Sequence, residues 1–376
     1  MQFNPPKNAI WIDTQDALDK AMPALTAGPF LAVDTESNSL YAYQEQVCLI
    51  QCSTQNNDYL IDTLADLDLS ALGAVFADTH VQKIFHAAEY DVICLRRDYG
   101  FEFNNLFDTM QAARILGFQR IGLSTMLESQ FQLKPVKSFQ KANWGKRPLN
   151  AEMKQYARVD THYLILLRER LAEQLQKNGL MELAQEDFRR VCLSENNQHD
   201  LSSYTAVRGY HKLAPKELAV LDALCDFRDD KARKMDRPHF KVVGSRALLA
   251  IAQAMPETQA DLNQVKGLSP RLAKRYGRGL LAAVKKGKHA KAIIPEKYKR
   301  PSNAYIKRLD HLKNWRKEQG KKLGVQSDVV MPRDILEEIA GAHPQSMPAL
   351  KAVMEEVPWR YARFGEHIME VISKGK

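Results

Sequence analysis

Runs of apolar residues in the first part of the chain predict a sheet flanked by helices. Residues 11–25 indicate a short entry strand or turn followed by an amphipathic helix, and residues 69–76 and 88–98 predict two further helices, the last of which Gly100 ends. The polar stretch 54–58 is typical of a hairpin turn, so we expect the first three strands to be antiparallel. The predicted strands occupy residues 29–37, 47–52, 59–62, 81–85 and 106–108.

Helices dominate the pattern after the last of these strands. Two helices broken at Gly117 and Gly122 lead into an irregular basic segment, residues 132–149. Asn150 is a good N-cap, and we expect one long helix from there to Lys177. An aspartate interrupts the apolar stripe of this helix, which consists of Tyr156, Asp160, Leu164, Leu167 and Leu171.

The last third of the chain repeats itself at an offset of 88 positions. Leu221, Arg228 and Leu248 recur as Leu309, Arg316 and Leu336, without a gap. A constant offset predicts two copies of one helical domain. We therefore predict an α/β domain at residues 1–195, a linker at 196–210, a first all-α domain at 211–290, a linker at 291–301 and a second all-α domain at 302–376.

Four acidic residues stand where an apolar or capping residue is expected. Asp34 and Glu36 end a buried strand, and their alternation with Thr35 puts both on one face. A strand end that shows two solvated acids is the alternative. Asp91 begins a helix and Asp160 interrupts an apolar stripe, so all four can meet at one end of the sheet. Such an all-oxygen site suits two Mg²⁺ or Mn²⁺ ions that act on a phosphodiester.

Charge is divided unevenly along the chain. Residues 1–200 carry 19 Lys and Arg against 26 Asp and Glu, whereas residues 201–376 carry 35 against 19. The basic second half fits a polyanion such as nucleic acid, although a solvated lysine-rich surface is an alternative. Phe139 and Trp144 lie among lysines in the segment 132–149, which suits a single nucleic-acid strand. A connector with Trp144 and Leu149 in the core is equally consistent with that segment.

Cysteine usage and the amino terminus bear on the cellular compartment. The five cysteines form no CxxC pair, and we expect reduced core residues. The first residues resemble no signal peptide, and no apolar run approaches the length of a membrane span. We therefore expect a soluble, cytoplasmic protein without membrane contact.

Three short motifs carry a resemblance to a known family. Residues 33–37 (VDTES), 86–91 (HAAEYD) and 156–160 (YARVD) are similar to the exonuclease motifs of the DEDD family, in its tyrosine-bearing subclass. Residues 107–109, 137–140 and 144–149 resemble the ribonuclease D group in particular, and the two repeats resemble HRDC domains. Relatives often have Ser-Asp where this chain has Ala142-Asn143, a difference that touches no expected metal ligand.

The resemblance implies a ribonuclease H-like domain that removes nucleotides from RNA 3′ ends as 5′-monophosphates, followed by two HRDC-like domains. We expect a monomer that acts on tRNA precursors or other small structured RNAs. Asp34, Glu36, Asp91 and Asp160 would hold two Mg²⁺ or Mn²⁺ ions, and Tyr156 would orient water. The expected substrate contacts are Thr35, Leu40, His86, Lys137, Gln140, Trp144 and Arg147, although Thr35 could simply pack and His86 suits a capping or core role better than direct catalysis.

Two other functions share these features. A DNA proofreading-type 3′-5′ exonuclease uses the same four acids, and a non-catalytic protein could use the same domains only to hold nucleic acid. The intact acids and Tyr156 argue against the second alternative. Because every proposed catalytic group lies in the acidic half, we expect deletion of residues 211–376 to leave a competent but poorly anchored nuclease.

Overall fold

A six-stranded mixed sheet forms the centre of the amino-terminal region. The structure is a computed structural model, and it describes residues 9–134, 138–195, 203–294 and 300–373. The strands follow the spatial order β1-β4-β3-β2-β5-β6; β3 and β4 are antiparallel, while the pairs β1–β4, β2–β5 and β5–β6 are parallel. They are β1 (Ile10–Ile12), β2 (Phe30–Ser37), β3 (Val47–Ser53), β4 (Asp58–Ile61), β5 (Gln82–Phe85) and β6 (Leu106–Asp108).

Eight helices accompany this sheet in the part of the chain that the structure describes. The predicted mixed sheet with flanking helices is confirmed, and Gly100 ends α3 in a left-handed conformation, as expected. The helices are α1 (Gln15–Thr26), α2 (Ser70–Ala77), α3 (Glu89–Tyr99), α4 (Thr109–Ile115), α5 (Leu123–Phe131), α6 (Ala151–His162), α7 (Leu164–Lys177) and α8 (Met181–Cys192).

The prediction of one long helix after Asn150 is wrong. Asn150 does cap it, accepting a hydrogen bond of 2.8 Å from the backbone N–H of Met153, but the helix breaks at Tyr163. Tyr163 adopts φ −100° and ψ −1°, well away from the ideal helix values of about −63° and −42°. Helix α6 packs on β3 and β4 and α7 packs on β5, so the break lets the two halves follow different parts of a twisted sheet.

The repeat at an offset of 88 positions is confirmed element by element. All five helices of the second copy begin 88 positions after their counterparts, and both copies place a left-handed residue, Met255 and His343, at the same helix end. The first copy contains α9 (Pro215–Lys234), α10 (His239–Val242), α11 (Ser245–Ala254), α12 (Gln259–Asn263) and α13 (Pro270–His289). The second contains α14 (Asn303–Leu323), α15 (Ser327–Val330), α16 (Arg333–Ala342), α17 (Met347–Val353) and α18 (Pro358–Ser373).

The chain forms two compact units that cut across the repeat. The first contains the sheet region before position 37, residues 47–195 and the second helical copy; the second contains residues 37–46 and the first helical copy. The domain boundaries proposed from the sequence stay predictions. Residues 203–210 of the expected linker include a 3₁₀ turn, Tyr204–Ala206, and the fully buried Val207.

Within the first unit, the second helical copy packs directly on α8. Arg360 and Glu186 form an ion pair of 2.5 Å with both side chains fully buried. Glu186 also accepts a hydrogen bond of 2.6 Å from the backbone N–H of Trp359. Val329 belongs to the same apolar core as the sheet. Deletion of residues 211–376 would therefore strip a buried carboxylate of its partners, which argues against the expectation that the remaining nuclease would stay competent.

Within the second unit, the first helical copy holds the segment 37–46, which continues the chain from the acid-bearing strand. The Tyr43 hydroxyl donates to Asp229 at 2.6 Å, and the Tyr43 backbone N–H donates to Asp236 at 2.9 Å. The Lys241 ammonium lies 4.0 Å from the centre of the Tyr41 ring. The conformation of this segment therefore depends on the first helical copy.

Two expectations about composition can be compared with the fold. All five cysteines are free and buried, as predicted for reduced core residues. None of the helices in the described part of the chain is both long and apolar enough to cross a membrane.

Candidate active site

Three elements bring the four predicted acids into one neighbourhood. Asp34 and Glu36 lie at the end of β2, Asp91 lies in the first turn of α3, and Asp160 lies in α6. Asp91 is only 7% exposed, and the other three are partly buried. Among the described residues, no three His, Cys, Asp or Glu side chains already form a cluster that could hold an ion. The acids therefore share a region without forming a closed coordination sphere.

The acids influence one another electrostatically. Burial, and then the charges of Asp91, Asp160 and Glu36, raise the pKa of Asp34 well above its ordinary value. Burial, with the charges of Asp160 and Asp91, raises the pKa of Glu36 to about 9. Burial also raises the pKa values of Asp91 and Asp160 to about 7. At neutral pH the site therefore holds protons that a cation could displace.

Thr35 acts on Asp91. Its hydroxyl donates a short hydrogen bond to the Asp91 carboxylate. Strand alternation places Thr35 on the face opposite to its acidic neighbours, and the sequence suggested either packing or a nucleotide contact there. The observed bond gives Thr35 a structural task, which is to orient one of the four acids. A nucleotide contact by Thr35 stays a prediction.

Asp108 is an organising residue that the sequence reasoning did not assign to the site. Its buried carboxylate accepts hydrogen bonds from the backbone N–H groups of Ala87 (3.1 Å), Ala88 (2.9 Å), Met110 (2.8 Å) and Gln111 (3.1 Å). Ala87 has φ +67°, a conformation that few non-glycine residues adopt. Asp108 thus fixes the turn from which α3 presents Asp91. The sequence signal that could have identified Asp108 is its position directly before a helix, where aspartate commonly caps the N-terminus.

His86 is held by the same turn. Its Nδ1 lies 2.9 Å from the Thr109 hydroxyl, which in turn donates to the carbonyl of Phe85 at 2.9 Å. Burial lowers the pKa of His86 to about 4, so the imidazole is neutral at pH 7. These contacts favour the capping or core role over direct catalysis. Contact with substrate by His86 stays a prediction.

Tyr156 reaches the acids from one helical turn before Asp160. Burial, and then the charges of Asp160, Glu36 and Asp34, raise the pKa of its phenol. Tyr156 also hydrogen-bonds to Asp160, and its ring lies 6.1 Å from that of Trp144. A phenol in this setting keeps its proton at neutral pH. It can donate a hydrogen bond but cannot act as a strong base.

Comparison with known proteins places this geometry in a family. The model of a 3′-5′ exonuclease family matches residues 9–176, and that of the HRDC domain matches residues 217–284 and 306–372. The structure of Escherichia coli RNase D, described as an exoribonuclease involved in structured RNA processing, is similar with a TM-score of 0.71 at 25% identity, covering 98% of this chain and 99% of that one. This chain belongs to the DEDD exonuclease family.

The chain is also similar to RRP6 proteins. Exosome complex exonuclease RRP6 of Saccharomyces cerevisiae is 39% identical over 264 residues, which are 66% of this chain and 36% of that protein. The catalytic core of RRP6 from Trypanosoma brucei is 28% identical with a TM-score of 0.65, covering 76% of this chain and 81% of that one. The chain spans less than half of the length of the curated relatives that it matches.

DEDD exonucleases generally depend on divalent metals, and the acids of this chain fit that requirement. Asp34, Glu36, Asp91 and Asp160 supply only carboxylate oxygens, which are the ligands that Mg²⁺ and Mn²⁺ prefer. Burial raises the pKa of each of the four, and neighbouring charges raise it further at Asp34, Glu36 and Asp91. A bound cation would relieve that repulsion.

Where the structure describes it, the basic segment before α6, residues 132–149, mainly makes contacts within the protein. Trp144 is 1% exposed and packs with Leu49 and Leu149, so its ring cannot stack on a base in this conformation. Arg147 donates to Asp62 at 2.5 and 2.6 Å. Gln140 is exposed, and Lys137 lies outside the described residues. The connector interpretation describes Trp144 and Leu149 better than the nucleic-acid interpretation does, and substrate contact by these residues stays a prediction.

A second cluster that the sequence reasoning missed anchors α6 to the hairpin. Asp58 in β4 accepts hydrogen bonds from Arg158 at 2.6 Å, His162 at 2.8 Å and Ser53 at 2.7 Å. Burial raises the pKa of Asp58, but these hydrogen bonds outweigh it and lower the pKa overall. Arg158 and His162 lie two residues before and after Asp160, so their bonds to Asp58 hold in place the helix that carries Asp160. Arg158 and His162, four residues apart on one helix face, were the available signal.

Leu40 lies apart from these residues in the chain. It belongs to the segment 37–46 of the second unit and is 37% exposed. Its predicted contact with the terminal nucleotide stays a prediction.

Proposed function

We propose that this protein is a divalent-metal-dependent exoribonuclease that removes nucleotides one at a time from RNA 3′ ends and releases 5′-monophosphates. The observation that carries the proposal is the convergence of four buried or partly buried carboxylates, whose charges disfavour one another, with one protonated tyrosine. The matches to a 3′-5′ exonuclease family and to an RNase D support it.

Two Mg²⁺ or Mn²⁺ ions are the proposed cofactors, held by Asp34, Glu36, Asp91 and Asp160. When bound, such ions stabilise the negative charge that builds up on a phosphodiester during cleavage. The protein supplies the framework around them. Thr35 orients the Asp91 carboxylate, and the Asp108 carboxylate fixes the turn before α3.

Tyr156 is proposed to orient the attacking water. Its proton is retained because burial and three carboxylates raise its pKa. The phenol can therefore hydrogen-bond to Asp160 and hold a water molecule in line with the scissile bond, but it does not remove the proton from that water. Trp144 and Phe139 pack near its ring and restrict its rotation.

The proposed class of RNA substrate rests on the charge of the chain and on one similar structure. We propose tRNA precursors or other small structured RNAs, because the second half of the chain is strongly basic and the matched RNase D is described as acting on structured RNA. We also propose that the protein is a cytoplasmic monomer. The basic helical copies would contact phosphates on the body of the RNA while its 3′ end enters the acidic site.

One digestion experiment separates the three candidate functions. RNA and DNA of the same sequence are labelled at the 3′ or the 5′ end and incubated with the full-length protein, with Mg²⁺ or with EDTA. We expect the 3′ label to appear first as a mononucleotide, only from RNA and only with Mg²⁺. Preferential DNA digestion supports the proofreading-type alternative, and binding without digestion supports the non-catalytic one.

A further inference from the structure

Gln51, in the middle of β3, is a buried polar residue that none of the roles described above uses. Its side chain is fully buried, and neither amide atom has a hydrogen-bond partner among the described residues. A carboxamide left unpaired in a protein interior is destabilising, because it loses its hydrogen bonds to water and gains none in return. Native structures seldom retain such a group without a use.

The position of Gln51 follows from its neighbours on the strand. Leu49, Gln51 and Ser53 share one face of β3 because side chains alternate. Leu49 packs in a cluster with Ala157 of α6. The Ser53 hydroxyl lies 2.7 Å from that of Thr161. Gln51 therefore lies beneath α6, between the contacts with its residues 157 and 161.

The paired acids of β2 emerge on the same face. Strand β2 is the neighbour of β3 in the sheet. Thr35 bonds to Asp91 of α3, whose buried residues belong to the same apolar core as Ile50 and Cys52, so its strand neighbours Asp34 and Glu36 project from the face that Gln51 shares. Side chains on one face of adjacent strands lie about 5 Å apart when directly opposite and about 7–8 Å apart on the diagonal. Gln51 and the acidic pair therefore lie on neighbouring strands and on the same face of the sheet.

The four acids differ in the support that they receive. Asp91 accepts a hydrogen bond from Thr35, and Asp160 hydrogen-bonds to Tyr156. In the described part of the chain, neither Asp34 nor Glu36 accepts a hydrogen bond from a side chain. Carboxylates that bind metals are usually oriented by an outer donor. The structure contains one unused buried donor on the adjacent strand.

We propose that Gln51 is a positioning residue of the active site: when a cation is bound, its amide N–H, which has no partner among the described residues of this structure, donates to a carboxylate of the acidic pair of β2 and orients that carboxylate toward the cation. This inference rests on the proposed function. Gln51 contacts neither substrate nor metal on this account. It acts through the carboxylate, and its amide also tolerates the metal-free state because it carries no charge.

The test compares Mn²⁺ affinity, without RNA, for the full-length protein and three variants by isothermal titration calorimetry. Gln51→Met keeps the length of the side chain but removes its amide, and Gln51→Asn keeps the amide on a side chain that is shorter by one methylene. Ile50→Val is the matched control, because Ile50 is equally buried but lies on the opposite face of β3. Thermal unfolding of each metal-free protein checks the fold.

We expect Gln51→Met to weaken Mn²⁺ binding by about 10–100-fold, the range measured for outer-shell partners, without lowering the metal-free unfolding temperature. Ile50→Val should lower that temperature and leave affinity within about twofold. If Gln51→Met does not fold, Gln51→Asn should still weaken binding. Wild-type affinity in the folded Gln51 variants would overturn the inference and leave a buried water as the only partner. Wild-type protein that neither binds Mn²⁺ nor digests RNA would instead overturn the proposed function.

Discussion

Asp160→Asn should stabilise the metal-free protein while abolishing its activity. Burial raises the pKa of Asp160 from 3.8 to about 7. A tenfold change in proton affinity corresponds to about 1.4 kcal/mol, so ionising Asp160 in the folded protein costs up to about 4 kcal/mol above pH 7. Neighbouring acids share this cost, so we expect the variant to gain about 1–4 kcal/mol in free energy of unfolding at pH 8. Asparagine keeps the shape and can still pair with Tyr156.

The gain should depend on pH with a definite sign. Between pH 4 and pH 7 the folded wild-type protein binds more protons than the unfolded chain, so its stability falls as pH rises. The advantage of Asp160→Asn should therefore grow from near zero at pH 4 to its full size above pH 7. Urea unfolding of EDTA-treated protein at pH 5 and pH 8 measures it, with the exposed Glu152→Gln on the same helix as control. Equal or lower stability at pH 8 would refute the reasoning.

Three further predictions concern Tyr156, the cation requirement and the Arg360 ion pair. Tyr156→Phe should lower kcat far more than it raises KM, because the phenol acts on water; a selective rise in KM would show that it holds RNA. EDTA should inactivate reversibly, with Mg²⁺ or Mn²⁺ but not the larger Ca²⁺ restoring activity, and activity in excess chelator would contradict the metal account. Arg360→Met should cost about 3–5 kcal/mol because it leaves Glu186 buried without its cation, whereas Arg333→Met, which removes an exposed ion pair with Glu337, should change stability little.

Local patterns predicted the elements that build the site. The apolar run before Asp34, the Gly100 helix end and the offset of 88 positions are local or periodic features, and each appears in the structure as expected. The acids were recognised because a charge in an apolar pattern needs a partner. That argument needs no knowledge of tertiary contacts.

Contacts between distant parts of the chain could not be predicted in this way. The break at Tyr163 reflects the twist of the sheet beneath two helices, which no window of sequence contains. Arg360 and Glu186 are 174 positions apart, and each reads as a solvated surface charge in its own helix. The sequence was consistent with Trp144 either stacking on a nucleic-acid base or packing in the core, and only its contacts in the fold distinguish the two.

The central claim is that four carboxylates hold their protons jointly and release them to a divalent cation. Mn²⁺ titration of the full-length protein at pH 7, in two buffers with different ionisation enthalpies, measures the protons released. Because the pKa of Glu36 is about 9 and those of Asp91 and Asp160 are about 7, we predict the release of at least one proton per protein. We also predict that Asp34→Asn weakens binding at least about tenfold. Binding without proton release, unaffected by Asp34→Asn, would contradict the account.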